Sequence, residues 1–113
     1  MWDHKASSGA ELLRVEVIRH GTEVTLIVVG HLDVTSSERL RARVEDVLLT
    51  RPRSIAIDAS ALTFVDSSGL AALLRARHAV TTEAGVRFRV VDPSSALRSV
   101  AELTGFQELL SEE

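Results

Sequence analysis

Val65-Asp66-Ser67-Ser68-Gly69 sets two hydroxyls between a carboxylate and a glycine. A serine in such a setting can attack a substrate when a base activates it, or accept a phosphoryl group when a kinase reaches it. The first chemistry lacks its partners. The segment only partly meets the G-x-S-x-G elbow of hydrolases, because Val65 stands where the first glycine belongs and no histidine follows His78 to complete the order serine, acid, histidine. The chain also lacks a G-x-x-x-x-G-K-[ST] phosphate loop and a G-x-G-x-x-G turn, so nucleotide binding has no positive signal. His4, His20, His31 and His78 are scattered without the close pairing of a zinc site. Asp33, Asp58 and Asp66 can be imagined around a magnesium ion at strand ends, but without a phosphate motif they read as capping and turn residues. With no cysteine, disulfides, thiol catalysis and thiolate metal sites are excluded. No cofactor and no metal are expected.

The serines need elements to present them. Ile55-Ala56-Ile57, ending in Asp58, is a short apolar run of the kind found in a strand buried on both faces. From Leu70 the apolar spacing becomes helical, with Leu70, Leu73 and Leu74 on one face. The residues from Phe64 to Gly69 between them supply helix-capping side chains, which predicts a strand-loop-helix unit with the serines at the positive end of the helix.

Upstream, residues 1 to 12 show no period and read as a flexible leader, with the domain spanning residues 13 to 113. Val15 and Val17 alternate with Glu16 and Ile18, and after Gly21-Thr22 comes the run Val24 to Val29, together an antiparallel hairpin. Gly30-His31-Leu32-Asp33 is expected to break the second strand. Thr35 with Glu38 has the capping-box spacing for a helix carrying Leu40, Val44, Val47 and Leu48, which Pro52 requires to end by Arg51. Downstream, Val86, Phe88 and Val90 alternate with Arg87 and Arg89 in a strand with one basic face. Asp92-Pro93-Ser94 opens a further helix with Leu97, Val100 and Leu103 as its buried stripe and Gly105-Phe106 as its stop. Leu109 to Ser111 are expected to form a last short strand. The order β-β-α-β-α-β-α-(β) predicts an α/β fold, a mixed β-sheet packed with α-helices.

A chain of 113 residues with 45% apolar content suits one domain with a real core. Its formal charge of −3 is spread with alternating sign and without a basic block, which argues against a nucleic-acid or anionic-membrane surface. The N-terminus lacks the apolar core of a signal peptide and no run reaches the 18 apolar residues of a span, so no membrane insertion is expected and a cytoplasmic location is.

Electrostatics give the serine pair a direction. A phosphate on Ser67 adds roughly −1.5 to −2 charges at a helix N-terminus, where the dipole favours it by only about 0.3 to 1 kcal/mol. At an effective dielectric near 20, the neighbouring Asp66 carboxylate about 5 Å away repels it by on the order of several kcal/mol before screening. The modification would therefore not stabilise the domain. Its effect would be to spoil a partner surface built around Asp66 and Ser67, as a switch requires. The alternative from pattern alone is that the two residues merely cap the helix.

FVDSSGLAALL, the Gly30-His31-Leu32-Asp33 element and Leu103-Thr104-Gly105-Phe106 together resemble the STAS family, over nearly everything from Val15 to Leu110. Within it, the D-S-[ST]-G-L signature is most similar to the anti-sigma-factor antagonists of the SpoIIAA type, which are bacterial single-domain proteins. The resemblance implies Ser67 as phosphoacceptor and Asp66 as its acidic neighbour. It further implies that Ser68 supports the loop, Gly69 allows close approach of a partner backbone, and Asp33 and His31 lie on the adjacent loop. The implied partners are an anti-sigma factor that is also a serine kinase, bound by the unphosphorylated form with release of a sigma factor, and a PP2C-type phosphatase that resets the switch. No catalytic activity of the domain itself is implied. Family members commonly carry an acidic residue where His31 stands, and a further C-terminal helix. The alternative within the same resemblance is a docking subunit of a lipid-transport or stress-signalling complex, although a static surface has no need of the Ser67 hydroxyl.

Overall fold

The computed structural model describes residues 13–110, so the expected leader lies outside the described residues. Strand β1 (Leu13–His20) and strand β2 (Glu23–Leu32) form the hairpin, antiparallel about Gly21-Thr22. Helix α1 (Ser37–Leu48) then leads to β3 (Ser54–Val65), and helix α2 (Ser67–His78) continues through a π-helical turn at Ala79–Glu83 to β4 (Arg87–Val91). Helix α3 (Ser95–Thr104) and a 3₁₀ turn (Gln107–Leu110) complete the described chain. The sheet order is β1-β2-β3-β4, with β2, β3 and β4 parallel, as helical crossovers require.

Alternation along the strands decides where the core sits. Val24, Leu26 and Val28 of β2, Ile55 and Ile57 of β3, and Val90 of β4 join one apolar cluster with Leu40, Val44 and Val47 of α1, Leu70 and Leu73 of α2, and Leu97 of α3. All three helices thus contribute to a single core. The alternate row, Ile18, Thr25, Ile27 and Val29, is only half-buried or exposed.

Several boundaries differ from expectation, each for a local reason. β2 is not broken at Gly30 but runs on to Leu32, absorbing the irregularity as register shifts against β3, with Gly30 at φ 111°. β3 does not end at Asp58: that carboxylate satisfies the amide and hydroxyl of Ser60, and the strand continues to Val65. α1 starts at Ser37 rather than just after Thr35, because Asp33 takes both the Thr35 amide and the Thr35 hydroxyl that a capping box would have used. In α3 the buried residues are Leu97 and Ala101, whereas Leu103 is 86% exposed. Gly105 does stop α3, at φ 82°, with its amide on the Glu102 carbonyl and the Phe106 amide on Ala101, the Schellman pattern. The expected final strand is a 3₁₀ turn through Leu110. It buries Leu109 in the core without joining the sheet, and Ser111 lies outside the described residues.

Candidate functional site

The Ser67 segment lies where β3 hands over to α2, and the parallel register of β2 and β3 fixes its surroundings. His31 pairs with Phe64 and Leu32 with Val65, so both strands end side by side and the β2-α1 loop flanks the start of α2.

Asp66 is the N-cap residue of α2. Its backbone is extended (φ −113°, ψ −172°) and its carboxylate accepts the Gly69 amide at 2.9 Å. Ser67 and Ser68 follow as the first two helical residues, the former exposed and the latter half-buried. Neither hydroxyl makes a hydrogen bond among the described residues, so capping falls to Asp66 alone. Gly69 is buried, and a Cβ built on it would stand 2.0 Å from the Leu32 carbonyl oxygen. Its close approach is to the chain's own β2.

On the flanking loop, the Asp33 carboxylate accepts the Thr35 hydroxyl at 2.8 Å and the amides of Thr35 and Ser36 at 3.0 and 3.2 Å. These donors, the Thr35 hydroxyl foremost, hold its carboxyl below the usual carboxylate range against the opposing effect of desolvation. Ser36 is buried, donates its hydroxyl to the His31 carbonyl at 2.8 Å and accepts the Asp33 amide at 3.1 Å, which locks the loop to the end of β2. The His31 ring is exposed and meets Phe64, ring centroids 5.5 Å apart at 57°.

The six residues singled out from sequence therefore gather where β2 and β3 hand over to helices: His31 near the end of β2, Asp33 in the loop after it, Asp66 as the N-cap, and Ser67, Ser68 and Gly69 in the first turn of α2. Phe64, near the end of β3 and 44% exposed, and Val34, in the β2-α1 loop and 70% exposed, border the same region and were missed as surface residues. The signal for Phe64 was alternation with buried Val65, visible only once β3 is extended past Asp58. Asp33, Asp58 and Asp66 each serve local hydrogen bonds, and among the described residues no group of three or more acidic or histidine side chains is arranged to hold a metal. No helix among the described residues is long and apolar enough to cross a membrane.

The STAS domain family model matches residues 14–112. Among solved structures, the chain is similar to an anti-sigma factor antagonist from Mycobacterium paratuberculosis, at 26% identity and TM-score 0.74, covering 87% of this chain and 82% of that one. It shares its fold with the anti-sigma factor antagonist SpoIIAA in its unphosphorylated form, at 23% identity and TM-score 0.67 over 89% and 87% of the two chains. The phosphorylated form of the Bacillus cell fate determinant SpoIIAA aligns at 22% identity and TM-score 0.65 over 89% and 90%. No curated protein sequence matches significantly.

Proposed function

The chain belongs to the STAS domain family, and from that premise we propose that it is an anti-sigma-factor antagonist switched by phosphorylation of Ser67. Unphosphorylated, it binds an anti-sigma factor that is also a serine kinase and so frees a sigma factor; phosphorylated, it lets go, and a PP2C-type phosphatase restores it. The observation that carries this reading is the placement of Ser67, an exposed first helical residue beside the Asp66 cap. A kinase can reach that hydroxyl without unfolding α2, because capping depends on the Asp66 carboxylate and not on the serine.

The docking face comprises Asp66, Ser67, Ser68 and the neighbouring His31 and Asp33, with Phe64 and Val34 as exposed apolar contacts. A phosphate there lies within reach of the Asp66 charge. Repulsion of on the order of several kcal/mol exceeds the roughly 0.3 to 1 kcal/mol the helix dipole returns, so the switch acts on the partner surface and not by tightening the domain.

The test is peptide mass spectrometry on protein purified from its native cells before and after stress, joined to pull-downs of the copurifying kinase. Condition-dependent phosphate on Ser67 is expected. Ser67→Ala should fold and bind constitutively, and Ser67→Asp should fold but bind weakly. Wild-type retention by Ser67→Asp would sink the electrostatic mechanism.

A further inference from the structure

The end of the sheet opposite Ser67 carries a second feature, independent of the switch. There the amino ends of β2, β3 and β4 lie together, because the three strands are parallel and begin at Glu23, Ser54 and Arg87. They border an open groove of about 900 Å³ lined by Arg53, Arg87 and Arg89, with Ile55 and Phe88 among its walls and Glu23 as its single carboxylate. Three guanidinium groups against one carboxylate leave the groove cationic in a protein of formal charge −3. Among the described residues none of the three arginines is in an ion pair, while Arg14 is paired with Glu16 and Arg41 with both Glu38 and Glu45.

Arg87 and Arg89 occupy alternate positions on β4, so they point to the same side of the strand, and β3 pairs Ser54 with Arg87. Arg53 enters the same corner through the Arg87 amide, which donates to the Arg53 carbonyl at 3.2 Å. All three arginine side chains are exposed, standing around apolar groups that are half-buried or buried. A small anion is best held by donors that converge in a desolvated pocket; exposed forks spread along an open, partly apolar groove suit a longer ligand offering carboxylates and apolar side chains in turn.

We propose that this groove is a second docking site, which takes an acidic, partly apolar segment of a partner protein. The domain then has two interfaces at opposite ends of the sheet: the Ser67 end, where Asp33 and Asp66 stand, and the arginine end. An anionic segment can occupy the second whether or not Ser67 is modified.

The experiment is fluorescence anisotropy of the full chain with a labelled, glutamate-rich peptide of about ten residues that also carries leucine. Arg53→Gln/Arg87→Gln should weaken binding by about tenfold or more, whereas Arg14→Gln/Arg98→Gln, which removes equal charge elsewhere, should change it less than about twofold. Ser67→Asp should bind the peptide as the wild type does. If circular dichroism shows the first pair to be misfolded, Arg89→Gln alone supplies the reading. Equal weakening in both pairs, or no binding, overturns the proposal. So does tight binding of inorganic pyrophosphate that displaces the peptide, which would make the groove a small-anion site. Concentration-dependent self-association abolished by Arg53→Gln/Arg87→Gln would overturn it too, by making a second copy the occupant.

Discussion

One missing methyl group decides whether α2 can begin where it does. On an exposed helix, glycine to alanine gains about 1 kcal/mol of propensity. At position 69 the added Cβ would stand 2.0 Å from the Leu32 carbonyl oxygen, which neither backbone can yield cheaply. The clash should win, and Gly69→Ala should lose about 1–3 kcal/mol in urea denaturation, the cost of overpacking; a gain would show that the strand end yields freely. Asp33 makes a different prediction. Its folded-state carboxyl is held below its ordinary range, chiefly by the Thr35 hydroxyl. The stability it contributes is present above the unfolded-state value and disappears as pH falls through the folded-state value. Asp33→Asn should therefore flatten the stability-against-pH curve across that acidic window and leave it parallel to the wild type above it. Much of this chemistry was legible in the residue string, since an Asp followed by two serines and a glycine ahead of a helical period specifies a cap and a hydroxyl at its mouth. What Gly69 touches was not, because nothing local to position 69 states that Leu32 arrives from across the sheet.

The elements show where periodicity suffices and where it misleads. Leu97, Val100 and Leu103 keep helical spacing, yet α3 buries Leu97 and Ala101 and leaves Leu103 86% exposed. At about 100° per residue Leu103 stands roughly 120° around the helix from Leu97, off the face that Leu97 and Ala101 bury. Leu97→Ala should cost about 2–5 kcal/mol through lost burial and the cavity left behind, and Leu103→Ala less than about 0.5 kcal/mol. Comparable losses in chemical denaturation would contradict this packing of α3. The same limit explains the strand ends. Asp58 looked like the end of β3 because it closes the apolar run Ile55 to Ile57, but its carboxylate takes the Ser60 hydroxyl and the ladder continues. The start of α1 shifted for a related reason, as Asp33 competes successfully for the Thr35 amide and hydroxyl that a capping box would use. The four strands and their order along the chain followed from composition and spacing, whereas the expected fifth at Leu109 is a 3₁₀ turn and strand length depended on side chains satisfying one another.

At the scale of the whole molecule, the three helices contribute to one core and both candidate interfaces lie at strand ends, where sheet and helix layers meet. Parallel strands sort their two ends automatically, so the serine loop and the arginine groove sit apart without any element devoted to separating them. The seating of Gly69 on Leu32 bears on the timing of local opening. The first turn of α2 packs with its backbone directly against the end of β2, so opening of the one disturbs the other, and Ser36 ties that strand end to the start of α1. Amide hydrogen exchange should register this as a shared opening, with Gly69, Leu70 and Ser36 exchanging at a common free energy. Exchange of α2's first turn well ahead of Ser36 would mean that the two loops breathe separately. If they open together, whatever grips one loop also slows the solvent's access to the other.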